Sequence, residues 1–98
     1  MRKQPLLITR RPAPRFERQP LVRWIFQRRE NLLTCEVAIG RDAYEVSVVP
    51  HGDVSQSVIE PFDRATDALW RHAEIASHLR DSGWVVAQHL PLRRVRAA

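Results

Sequence analysis

The chain has 98 residues, a formal charge of +5 and 44% hydrophobic residues. That length fits one domain, and the apolar content supports a packed core, which excludes a chain disordered throughout. The single cysteine excludes an intramolecular disulfide and points to a reducing, cytoplasmic setting.

At the N-terminus, Arg2 and Lys3 precede only three consecutive apolar residues, Leu6 to Ile8, before Arg10 and Arg11. A secretory core needs about 7 to 15 apolar residues, so no signal peptide is expected. No stretch approaches the roughly 18 apolar residues of a membrane helix, and no membrane partner is expected. Pro5, Pro12, Pro14 and Pro20 share residues 1–20 with Arg2, Arg10, Arg11, Arg15 and Arg18, which predicts a basic, extended arm. Residues 21–90 then read as the single folded domain, and 91–98 as a basic tail with Arg93, Arg94 and Arg96.

Charge divides along these boundaries. Residues 1–30 hold nine basic groups against Glu17 and Glu30, a balance of +7, whereas residues 31–92 hold four basic and nine acidic groups, a balance of −5. The last six residues add +3. The basic groups are arginine with the exception of Lys3, a choice that suits bidentate phosphate binding but that a GC-rich genome also produces.

Within the domain, Leu21 to Gln27 is rich in strand formers, and Arg28 to Asn31 can turn it back. Leu33, Cys35, Val37 and Ile39 alternate with Thr34, Glu36 and Ala38, the period of a half-buried strand. Gly40 to Ala43 makes a turn, and Tyr44, Val46 and Val48 continue the alternation as the second arm of a hairpin. Pro50 to Asp53 forms the next turn, and a weaker strand is expected over Val54 to Ile59.

A long helix is predicted to start near Pro61 to Asp63 and to bury a stripe of Phe62, Ala65, Leu69, Ala73, Ala76 and Leu79. Asp67 and Arg71 form an i, i+4 pair on its outer surface, whereas Trp70 and Ile75 fall off the stripe, at its margins or at a protein contact. Gly83 supplies the left-handed stop, Trp84 packs back onto Leu79, and Trp84 to Val86 can add a short edge strand. The expected fold is α+β: a three- to four-stranded antiparallel β-meander followed by one long α-helix packed on one sheet face. The other face is left uncovered, and so thin a core favours a homodimer.

The chemistry-bearing residues point away from catalysis. His72 and His78 are six apart, about 600° around a helix, so they cannot share a metal ion, and no paired-ligand spacing occurs elsewhere. Cys35 lies on the apolar face of a strand, where a thiol behaves as a small hydrophobe. His51 and Asp53 resemble an acid/base pair but suit a turn equally well. No phosphate loop, nucleophile elbow or dinucleotide fingerprint appears, so no enzyme, catalytic residue, cofactor or metal is expected. The remaining signal is Arg23, Trp24, Ile25, Phe26, Gln27, Arg28 and Arg29, where arginines interleave with aromatics as in single-strand nucleic-acid platforms. In an alternating strand, however, Trp24 and Phe26 share the face opposite Arg23 and serve a core or a dimer equally well.

Leu33-Thr34-Cys35-Glu36, Tyr44-Glu45-Val46 and Ser82-Gly83-Trp84, in this order around a hairpin and an Ala-rich helix, resemble small bacterial hypothetical proteins over residues 24 to 86. That resemblance implies no activity. In topology alone, strands followed by one helix are similar to the repeat of PUR-type proteins, which pair such units and bind single strands, although fold does not carry function. Two expectations follow. The first is a non-enzymatic protein-interaction or regulatory module, dimeric through the sheet face or the helix margin, with itself or another protein as partner. The alternative is a single-stranded nucleic-acid binder using Arg10, Arg11, Arg23, Trp24, Arg28 and Arg29.

Overall fold

The computed structural model describes residues 18–90, without the side chain of Leu90. The expected tail, and the expected arm up to residue 17, lie outside the described residues. Strands β1 (Gln19–Arg28), β2 (Asn31–Ile39), β3 (Tyr44–Pro50) and β4 (Val58–Phe62) are followed by helix α1 (Ala65–Asp81) and strand β5 (Val85–Leu90). They form one antiparallel sheet in the order β4-β3-β2-β1-β5. The fold is the expected α+β arrangement with five strands, because the segment after the helix runs on to Leu90 and pairs with the free edge of β1. Gln19 and Pro20, assigned to the arm by composition, already pair with Ile39 and Ala38.

The alternation of apolar residues fixes the register. Trp24 lies opposite Cys35, Phe26 opposite Leu33, and Val37 between Val22 and Val46, so one face of the sheet is continuously apolar. Phe26, Cys35 and Val37 are fully buried there, each aliphatic or aromatic side chain contributing about 1.5–3 kcal/mol by leaving water. Leu21 and Val22, adjacent yet both buried, are accommodated by a β-bulge in β1 between Pro20 and Val22.

Helix α1 covers this face with Ala68, Leu69, His72, Ile75, Ala76 and Leu79. The buried stripe is rotated from the expected one: Ala68 and His72 point inward, and Ala73 points to solvent. Ile75 joins the core, whereas Trp70 turns away from it. Arg71 ties the helix to β4 by donating from Nε to Glu60 Oε1 (2.8 Å) and reaches Glu74 at 3.3 Å, in place of the expected pair with Asp67.

The helix ends as expected. Gly83 adopts φ +96°, its N–H donates to Arg80 O, and the Trp84 N–H donates to Leu79 O at 3.0 Å, a Schellman arrangement that returns Trp84 to the core. The start differs from expectation. Asp53 caps a 3-10 turn over Val54–Gln56, which displaces the fourth strand to Val58–Phe62 and leaves Pro61 inside an edge strand. Arg64, without a side-chain cap bond, precedes the first turn of α1.

The β1–β2 hairpin turns at Arg29 and Glu30, with Arg29 at φ +59° and Gln27 Nε2 donating to its carbonyl. A side chain in that left-handed region costs roughly 1–2 kcal/mol, which glycine avoids at some cost in unfolded-state entropy. Arg29→Gly is expected to raise stability by about 1 kcal/mol in urea denaturation, and unchanged or lowered stability would show that the turn carries no such strain.

Candidate functional site

The residues singled out as a nucleic-acid platform are distributed over three places. Arg23 projects from the sheet face that is uncovered among the described residues, and donates from Nη2 to Glu36 Oε2 on β2 at 2.9 Å. Trp24 projects to the opposite face, between sheet and helix, where its ring meets His72 and His89 edge-on at 5.5 and 5.9 Å and Phe26 at 6.0 Å. The Arg80 guanidinium lies 5.8 Å over the same ring. Arg28 stacks over Trp84 at 4.9 Å and donates from Nη1 to Ser82 O, so it neutralises the negative end of α1. Arg29 occupies the hairpin tip. The structure therefore brings Arg28 to the helix C-terminus and Trp24 to the core, with Arg23 on the other side of the sheet. Arg10 and Arg11 lie outside the described residues.

The potential acid/base and nucleophilic groups are engaged in the fold. Burial pushes the Cys35 thiol up to about 12, so it stays protonated and unreactive. His72, only 5% exposed, donates from Nε2 to the Cys35 carbonyl at 3.2 Å, which places a proton on Nε2. Burial holds its pKa below the ordinary histidine value. His51 Nε2 lies 2.7 Å from the Thr34 hydroxyl, a pairing that the sequence did not suggest. Asp53, however, accepts from Ser55 N and Oγ and holds the 3-10 turn.

The uncovered sheet face is not a greasy surface. Its middle carries the Arg23–Glu36 ion pair, with Arg18 and Glu45 paired nearby at 2.9 Å. Ala38 and Ser47, both almost fully buried, lie between these longer side chains in the register. Apolar Ile25, Leu32, Val49 and Ile59 are scattered around the polar centre.

The outer face of α1 has the opposite character. Trp70 is 70% exposed and points away from the sheet. It borders a shallow, open depression of about 450 Å³ lined also by Ala73, Glu74, Ser77, His78 and Asp81. The residues fall there because 70, 73, 77 and 81 follow one face of a 3.6-residue helix, and the short side chains of Ala73 and Ser77 leave room beside the indole. The sequence signal for this surface was Trp70 standing off the apolar stripe. Ala73 concealed the rest, since alanine suits either side of a helix.

Among the described residues, no helix is long and apolar enough to cross a membrane. No family model matches the chain, and neither curated proteins nor solved structures give a match.

Two measurements check the buried groups. Cys35 is expected to resist iodoacetamide at pH 8 in the native protein and to react once the chain is unfolded in urea; rapid native labelling would show an accessible thiol. For His72 the unfolded chain binds a proton more readily than the native one, so stability is retained above the unfolded value near 6.5 and falls as pH drops below it. His72→Gln is expected to flatten the stability profile between pH 7 and 5.5, and an unchanged slope would assign the proton elsewhere.

Proposed function

We propose that this chain is a protein-interaction module without catalytic activity of its own, and that its binding surface is the outer face of α1. The observation that carries this reading is Trp70, an indole 70% exposed on a helix whose other large apolar residues face the sheet. Indoles left in water beside a recess are the side chains that anchor protein interfaces, because they bring a large apolar area at little conformational cost. The recess formed with Ala73 and Ser77 gives a partner side chain a place to sit.

Further support comes from how the other candidates are used. Cys35 and His72 serve packing, and Asp53 serves a turn. The nucleic-acid reading draws less support, because Arg23, Trp24 and Arg28 share no surface and each is engaged within the chain. Residues 18–90, the folded body with β1 included, hold eight basic and ten acidic groups, a balance of −2 that gives a polyanion no net attraction. The free, buried Cys35 fits work in the reducing cytoplasm.

The test is a photo-crosslinking amino acid placed at position 70, compared with one at position 54, where Val54 is 66% exposed on the 3-10 turn. The expected result is discrete protein adducts at 70 in living cells and none at 54. Adducts at neither position, or equally at both, would remove the outer face of α1 as the binding surface.

A further inference from the structure

We infer that the occupant of this surface is a second copy of the chain: two α1 helices pair antiparallel about a two-fold axis crossing near Ala73, with each Trp70 indole seated over the partner's Ser77. This inference rests on the reading of the outer face of α1 as a protein-binding surface and names its partner.

The face is complementary to its own reverse. Trp70 stands about 4.5 Å along the helix on one side of Ala73, and Ser77 about 6 Å on the other, by the rise of 1.5 Å per residue. Rotation about an axis near Ala73 therefore carries each projecting indole onto the low ground of the facing helix, which Ala73 and Ser77 keep open. A closed two-fold pair of this kind uses one patch twice and leaves no copy of it exposed.

Charge selects the direction. Down one flank of α1, Asp67, Arg71, Glu74 and His78 follow at helical spacings of four, three and four. In the antiparallel pair Asp67 faces the partner's His78 and Arg71 faces the partner's Glu74. Arg71 already holds Glu60 and Glu74 of its own chain and keeps an Nη2 group for the second carboxylate. A parallel two-fold pair would place this flank on opposite sides of the seam in the two copies, so both of these charge pairings would be lost.

The other surfaces suit a second copy less well. The uncovered sheet face would have to desolvate the Arg23–Glu36 pair, and removal of charges from water costs several kcal/mol per ion. The free edge of β5 is interrupted where Gln88 and Val86 pair with Ile25 and Phe26, leaving Ala87 as a bulge that disfavours edge-to-edge pairing.

One helix face is a small interface, so the pair is measured on the full chain by sedimentation equilibrium from about 1 µM to about 1 mM, the range that covers weak complexes. The expected mass rises from 11.4 kDa to twice that value. Trp70→Ala weakens association at least tenfold while the far-ultraviolet dichroism stays native, and a dimer indifferent to it overturns the inference. Asp67→Arg weakens the pair, and His78→Asp added to it restores the pair; failure of the restoration overturns the antiparallel register. In a Cys35→Ala background, Ala73→Cys is expected to give a disulfide-linked dimer on mild oxidation. Thr66→Cys is not, because about 21 Å along the helix separates it from its copy and a disulfide spans at most about 7 Å between Cα atoms. Cross-linking at 66, or none at 73 in a chain that dimerises, overturns the geometry. A chain monomeric throughout overturns the second copy as partner, and adducts from position 70 to a different protein would then leave the binding surface itself standing.

Discussion

One helix must both cross the sheet and cover it. The chain leaves β4 at one edge and re-enters as β5 at the other, so α1 is the connection between opposite edges as well as the second layer. Seventeen helical residues reach about 25 Å, and five strands spaced about 4.8 Å apart span about 19 Å, so a single diagonal helix suffices for one face, and among the described residues no element covers the other. Close approach depends on Ala68 and Ala76, which sit over Val37 and Cys35 without holding the backbone away. His72 lies between those alanines and satisfies the Cys35 carbonyl, so a polar group enters the core fully bonded. Trp24 touches both halves of the core and fills the space on the side of β1 and β5.

The central hairpin was legible because its burial is one-sided. Leu33 to Ile39 and Tyr44 to Val48 alternate strictly, and the observed pairing of Cys35 with Val48 and Val37 with Val46 follows from that pattern. The helix end was legible because Gly83 and Trp84 are tied to a specific backbone geometry. Elements whose cause is tertiary were less so. The bulge beside Leu21 lets neighbouring apolar residues both face the core, which no period-2 reading allows. The fourth strand was displaced because Asp53 bonds Ser55 and winds Val54–Gln56 into a turn, while Pro61 is tolerated on an edge with no ladder to complete on its outer side. The inward stripe of α1 was misjudged at Ala73, Ala68, His72 and Ile75, because histidine is polar by type yet His72 is buried with a bond to Cys35 O. At the candidate surface the sequence marked Trp70 as unaccounted for but placed Ala73, its neighbour in the recess, in the core.

Arginine content alone suggested a partner made of phosphates. Five of the eight described arginines are instead spent on local geometry: Arg18 on Glu45, Arg23 on Glu36, Arg28 on Trp84 and the helix end, Arg71 on Glu60 and Glu74, Arg80 over Trp24. Exposed pairs of this kind contribute only about 0–1 kcal/mol each, so they orient strands and helix more than they stabilise them. Their larger effect is on recognition, since a guanidinium already stacked or paired must be freed before it can bind a phosphate.

The two surfaces left outside the core differ in what water does for them. On the sheet, polar groups are paired with each other and the small residues between them are already shielded, so covering this face would remove water from charges and gain little apolar burial. On α1, the largest apolar side chain of the helix stands in solvent beside two small residues, so covering it removes water from an indole, with Glu74, His78 and Asp81 at the margin. A thin domain with one helix was expected to associate through its open sheet face or through the margin of its helix. That sheet satisfies its own charges, and the large apolar area left in water lies instead on the back of the helix that made the core.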